Sequence, residues 1–153
     1  MIHTSDYARS LRAIGQALEV LHVEAFQMES RGDDYLVLGG VTLQLRYTSE
    51  EIDRLEREGQ ARRRDPNGMP DGRSMSQLMR AVGAYLNHKG ARLLRIFWLD
   101  QSVSLAYETA QGRQELDVRS LSSMYKFWVR MCGNRTGREK KYQLRLLCNR
   151  IKA

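Results

Sequence analysis

Apolar residues recur along this chain at two periods, and the switches between them mark out its elements. Tyr7, Leu11, Ile14, Leu18 and Leu21 fall at i, i+4, i+7, i+11 and i+14. That is one stripe of an amphipathic helix, with Ser5 or Asp6 placed to cap its start. From Glu24 the period shortens. Phe26 and Met28 share one face, Arg31-Gly32-Asp33-Asp34 turns, residues 35–38 form a short apolar strand, and Gly39-Gly40 turns again. Residues 41–47 then alternate strictly, which points Val41, Leu43, Leu45 and Tyr47 inward and Thr42, Gln44 and Arg46 outward. Thr48-Ser49-Glu50-Glu51 has the form of a capping box, in which side chains satisfy the first free amides of a helix. That helix carries Ile52 and Leu55 but little other apolar surface.

The same order returns after a break. Residues 65–73, Asp-Pro-Asn-Gly-Met-Pro-Asp-Gly-Arg, hold both prolines of the chain and read as a flexible linker. Ser74-Met75-Ser76-Gln77 is a second capping box, Met75, Leu78, Met79, Val82 and Leu86 give the helical stripe, and Gly90 suits its C-terminal stop. Residues 93–99 are almost continuously apolar and are expected to form a central strand buried on both faces. Residues 102–107 alternate through Val103, Leu105 and Tyr107. After the Gln111-Gly112 turn, residues 115–119 place Leu116 and Val118 inward. Leu121, Met124, Tyr125, Trp128 and Cys132 mark a last helix, ended by Gly133-Asn134.

The expectation is an α+β chain of two pseudo-repeated helix–three strands–helix halves with antiparallel sheet, residues 1–64 and 74–134. The linker 65–73 joins them and a basic segment, residues 135–153, follows. The halves would form one compact body or share a continuous sheet. Leu11-Arg12-Ala13-Ile14-Gly15-Gln16-Ala17-Leu18 is echoed by Met79-Arg80-Ala81-Val82-Gly83-Ala84-Tyr85-Leu86, 68 residues on. A glycine inside a helix costs about 1 kcal/mol relative to alanine. The recurrence of Gly15 and Gly83 therefore points to close backbone approach at both. The helix–three strands–helix order resembles that of double-stranded-RNA-binding domains and is similar to secretion-chaperone folds. No residue motif of either is present: Ser49-Glu50-Glu51 and Ser120-Leu121-Ser122 stand where the first family opens its last helix with lysines.

Charge adds a second division. Residues 1–61 carry 6 Lys+Arg against 11 Asp+Glu, and residues 62–153 carry 19 against 7. The whole chain of 153 residues has a formal charge of +7, which draws it toward anionic surfaces. Arg62, Arg63, Arg64 and Arg73 flank the linker. Arg135, Arg138, Lys140, Lys141, Arg145 and Arg150 crowd the last segment, and Lys126, Phe127 and Arg130 lie just before it. A mobile basic loop beside a basic tail is one way to grip a phosphate backbone, with Phe127, off the helical stripe and exposed, stacking on a base.

Catalytic chemistry is not signalled. His3, His22 and His88 stand in no metal-binding spacing, and His22 and His88 sit where a side chain helps to end a helix. Glu50, Glu51, Asp53, Glu56 and Glu58 spread round a solvated helix face, where Glu50–Arg54 and Asp53–Arg57 suit i, i+4 ion pairs. Cys132 and Cys148 lack a redox or zinc spacing and read as buried free thiols. No catalytic residue, cofactor or metal is expected. The N-terminus has no signal-peptide pattern and no run is long enough to span a membrane, so a cytoplasmic chain with no membrane partner is expected. Three functions fit: a non-enzymatic nucleic-acid-binding module gripping phosphates through the basic segments, a dimeric protein-interaction or chaperone-like adaptor, and, with less weight, an enzyme whose site is assembled from residues that sequence does not pair.

Overall fold

Both glycine-bearing helices form where the stripes place them, and they pack on each other. A computed structural model describes residues 6–40, 42–62 and 74–133. The chain runs α1 (Tyr7–Val20), β1 (Phe26–Arg31), β2 (Asp34–Gly39), β3 (Leu43–Tyr47), α2 (Ser49–Arg62), α3 (Met75–Lys89), β4 (Arg92–Leu99), β5 (Ser102–Glu108), β6 (Gln114–Ser120) and α4 (Leu121–Gly133). The class is α+β: among the described residues, four helices and one antiparallel sheet in the order β3-β2-β1-β4-β5-β6. Neighbours along the chain pair as hairpins, and β1 joins β4 at the centre, Met28 opposite Ile96.

One face of the sheet carries the core. Phe26, Met28, Tyr35, Val37, Leu93, Ile96, Trp98, Val103, Leu105 and Tyr107 are buried against the stripes of α1 and α3. Strand β4 corrects the expectation of burial on both faces. It is central, but only Leu93, Ile96 and Trp98 are buried, while Arg95, Phe97 and Leu99 face solvent. The pairing with β5 shifts register between Leu93 and Arg95, a bulge at Leu94. An extra residue at that point breaks the alternation, so a one-sided strand reads in sequence as a continuous apolar run.

Close approach of α1 and α3 explains the two glycines. A Cβ on Gly83 would lie 2.3 Å from the Tyr7 carbonyl oxygen and 2.5 Å from the Ala8 nitrogen. One on Gly15 would meet the Ser76 Cα and the Met79 sulfur at 3.0 Å. Tyr7 ties the same contact with polar bonds: its N–H donates to Asn87 Oδ1 (3.0 Å) and its hydroxyl accepts from the Leu93 N–H (3.0 Å). Burial pushes that phenol above its usual range, against the pull of the Leu93 bond and of Arg92.

The caps divide. Asp6 accepts from the Arg9 N–H and Thr48 from the Glu51 N–H, both at 3.3 Å, as the sequence suggests. Ser74 makes no side-chain cap bond. Instead Glu19, at the end of α1, accepts from the Ser74 hydroxyl (2.7 Å) and the Ser76 N–H (3.0 Å), a carboxylate at a helix N-terminus supplied from elsewhere in the chain. Gly90 closes α3 in the left-handed conformation, φ 62°. No helix among the described residues is long and apolar enough to cross a membrane.

Candidate functional site

The face of the sheet turned away from the helices is where the two halves differ most. Residues directly opposite in an antiparallel pair share a face. One row across the sheet therefore reads Gln44, Leu38, Gln27, Phe97, Ser104, Val118, and the next reads Arg46, Leu36, Glu29, Arg95, Ala106, Leu116. At the β3 end the rows finish in polar side chains. At the β6 end they finish in Val118 and Leu116, 64% and 69% exposed, with Phe97 at 44% and Leu99 at 65% on the same face.

This corrects the expectation that Leu116 and Val118 point inward. Strand alternation alone cannot tell in from out, because a slip of one residue exchanges the faces. The β5–β6 hairpin decides it. Its loop closes with the Thr109 N–H donating to the Arg113 carbonyl at 2.7 Å and Gly112 at φ 82°. The resulting register sets Tyr107 beside Glu115, Leu105 beside Asp117 and Val103 beside Arg119, so the charged residues of β6 take the inner side.

There they are held by α3 and β5. The Tyr85 hydroxyl donates to Asp117 at 2.5 Å, Arg119 donates to the same carboxylate at 3.2 Å, and Tyr107 donates to Glu115 at 3.2 Å. Arg119 and Lys89 lie over the Tyr85 ring at 4.9 and 5.1 Å. Burial, then the carboxylate beside it, push the Tyr85 hydroxyl up to about 12. Partial burial raises the Asp117 carboxyl, but bonds from Tyr85 and Arg119 outweigh it and leave the group below its ordinary value. Both shifts hold each group in its usual neutral-pH form, a phenol and a carboxylate. The cluster anchors β6 to α3 and β5.

Other sites carry less. An open hollow of about 960 Å³ at the β4–β5 end has Glu24, Met75, Leu78, Trp98, Asp100 and Tyr125 among its lining residues. No three His, Cys, Asp or Glu side chains among the described residues converge to hold a metal ion.

Of the basic residues singled out in sequence, Lys126 and Arg130 are exposed one turn apart on α4. Phe127, expected to be exposed, is half-buried, with ring contacts to Tyr85 (5.3 Å) and His88 (5.4 Å). Its off-stripe position reflects contact with α3. The Arg62 side chain, Arg63, Arg64, Arg73, Arg135, Arg138, Lys140, Lys141, Arg145 and Arg150 lie outside the described residues, as do Val41, the linker 65–73 and the side chains of Cys132 and Cys148. His22 follows α1 with φ 56°, its backbone N–H bonded to the Glu19 carbonyl, so its backbone closes that helix end. The acidic face of α2 is less solvated than expected. Asp53 pairs with Arg9 of α1 at 2.6 Å, and Glu56 is buried in an ion pair with Arg12. Comparison with protein-family models, curated proteins and solved structures yields no match to this chain.

Proposed function

We propose that this chain is a protein-interaction adaptor that presents the open sheet face of β4, β5 and β6 to an apolar segment of a partner. The carrying observation is the exposure of Phe97, Leu99, Leu116 and Val118 on that one face. Isolated exposed apolar residues are ordinary, but four grouped on one sheet face mark a contact surface. Arg95 stands over Phe97 at 5.8 Å, within 3.8 Å of Glu29, and adds a partly exposed cation beside the apolar centre. The fitting partner is an extended or amphipathic segment with apolar side chains and an acidic flank. Panning a peptide display library on the folded chain tests this. Selected peptides should carry that pattern and should lose binding to Phe97→Ser and Leu99→Ser. Peptides unaffected by both changes would overturn the reading.

The charge of residues 62–153, 19 Lys+Arg against 7 Asp+Glu, favours nucleic acid as a second reading. Lys126 and Arg130 would extend the basic linker and tail onto α4. Titration with single- and double-stranded oligonucleotides at two salt concentrations separates the readings. Phosphate binding weakens steeply with salt and ignores Phe97→Ser.

We also infer that the two halves are copies of one unit. Supporting this, the offset of 68 in the Gly15 and Gly83 motifs recurs in the contacts. Gly15 lies against Met75 and Ser76, Gly83 against Tyr7 and Ala8, and the central strand pair sets Met28 opposite Ile96. Superposing the halves tests it. Helices and strands that failed to coincide would remove the inference.

A further inference from the structure

Among the described residues, strand β6 ends the sheet, and one side of its backbone has no strand partner. In its ladder with β5, the Thr109 N–H bonds the Arg113 carbonyl and the Leu121 N–H bonds the Gln101 carbonyl. Backbone direction alternates along an antiparallel strand. Odd-numbered residues of β6 therefore face β5, and Gln114, Leu116 and Val118 turn their N–H and C=O groups outward, as does the Ser120 N–H, while the Ser120 carbonyl accepts from the Ser123 hydroxyl at 3.0 Å. Natural sheets commonly guard such an edge with charged side chains. The opposite edge, β3, is short and shows Gln44 and Arg46 on the open face. Strand β6 shows Leu116 and Val118 on that face and keeps Glu115, Asp117 and Arg119 on the inner one, where charges choose which strand the edge accepts.

We propose that β6 pairs antiparallel with β6 of a second copy of this chain, about a two-fold axis at Val118. The proposal rests on the adaptor reading for the contact being with a protein, and it adds to that reading a second interface, at the sheet edge. Side-chain chemistry selects the register. Centred on Val118, each Asp117 lies opposite Arg119 of the other copy on the inner face, Val118 meets Val118 on the open face, and Leu116 meets Ser120. Both copies turn the Val118 backbone outward, so the two residues exchange both hydrogen bonds, and each Ser120 N–H reaches the other copy's Leu116 carbonyl. Centring one residue earlier, on Asp117, sets two Asp117 carboxylates face to face. Centring on Leu116 opposes Glu115 to Asp117. Like charges directly opposite are destabilising and opposite charges favourable. The inner charges therefore reject the neighbouring registers and accept this one.

The Asp117 and Arg119 side chains are already positioned for it. They are joined at 3.2 Å, with Asp117 also fixed by Tyr85, so two copies would close a ring of four alternating charges. The pairing lies in the plane of the sheet. It leaves Phe97 and Leu99 uncovered and joins the two apolar faces into one continuous band.

Sedimentation velocity on the full chain, across a dilution series, reads the association. Arg119→Glu sets acids opposite acids and should raise the dimer dissociation constant roughly tenfold or more. Adding Asp117→Arg restores the opposite pairing and should bring dimerisation back. Val118→Cys, with Cys132→Ala and Cys148→Ala, should cross-link two copies on mild oxidation, because opposed residues of a hydrogen-bonded pair lie about 5.5 Å apart between Cα atoms, within disulfide reach. Leu116→Cys in the same background should not. A chain that stays monomeric to its solubility limit overturns the proposal. So does a dimer that Arg119→Glu leaves intact, or one in which Leu116→Cys cross-links as readily as Val118→Cys. If Arg119→Glu fails to fold by circular dichroism, the cross-linking pair decides. Phe97 lies two strands from the edge, so Phe97→Ser leaves dimerisation unchanged. Lost dimerisation with retained peptide capture rejects this proposal alone, and the reverse rejects the adaptor reading.

Discussion

The first half closes its helix pair with charge, and the second closes its own with an aromatic ring. Arg12 of α1 meets buried Glu56 of α2. Arg80, at the same position in α3, lies 5.0 Å over the ring of Trp128, which holds in α4 the place Glu56 holds in α2. A guanidinium serves both because it pairs with a carboxylate and also stacks on an aromatic face. The sheet edges follow the same division. Strand β3 shows polar side chains on the open face, whereas β6 turns its charges inward and its apolar residues out. The contrast teaches that two stretches with the same order of elements can present opposite surfaces, because the side chains and the strand register set each face.

Breaking the helix-pair contrast gives the largest expected effect. Arg12→Ala removes an ion partner of the buried Glu56 carboxylate and should cost about 3 kcal/mol. Arg80→Ala removes a cation–π contact and should cost about 1 kcal/mol. Urea denaturation of the two variants checks the difference, and equal losses would erase the distinction.

Next in size is the helix crossing. Gly83→Ala forces a methyl onto the backbone of Tyr7 and Ala8 and should destabilise by about 2–3 kcal/mol. Gly15→Ala meets the movable Met79 sulfur as well as Ser76, so its loss should be smaller, about 1 kcal/mol. Thermal melts that reversed this order would show that the crossing is tighter at Gly15.

A smaller effect tests the inner charges of β6. Asp117→Asn should cost about 1 kcal/mol at neutral pH through weaker bonds to Tyr85 and Arg119. Because the folded-state value of Asp117 is depressed, its carboxylate contributes fully above the ordinary carboxylate range. That contribution fades as pH falls through the lower folded value. The gap between wild type and Asp117→Asn should therefore narrow on acidification below pH ~4. A gap that widened would give the shift the wrong sign.

Smallest of all, Leu116→Thr should change the stability of the monomer by less than about 0.5 kcal/mol, because the side chain is 69% exposed. A loss comparable to that of a core leucine would put Leu116 back inside.

Elements with a clear period were legible in the sequence. The α1 stripe, the shared face of Phe26 and Met28, the Thr48 cap, the Gly90 stop and the close approach at both glycines all follow from local patterning. Features that depend on contacts between distant segments were not. The β4 bulge hid a solvent face inside an apolar run. The faces of β6 depend on a hairpin register that Leu116 and Val118 cannot report themselves. Glu19 caps a helix that starts 56 positions later, and Glu56 finds its arginine 44 positions earlier. Of the candidate site, Leu116, Val118 and Phe97 were visible as apolar residues, but only the register collects them on one surface.

The central pairing of β1 with β4 has a consequence for how the chain is made. Their contacts span nearly half the sequence, and non-local strand pairing closes late, after its loop entropy has been overcome. While the ribosome has delivered only the first half, β1 waits with a bare edge and α1 with its Gly15 groove uncovered. Two such nascent chains, side by side on one message, each display a surface that the other's second half is able to cover. Correct assembly then depends on synthesis outrunning encounter, so slow translation through the linker should favour strand-exchanged dimers over the folded monomer.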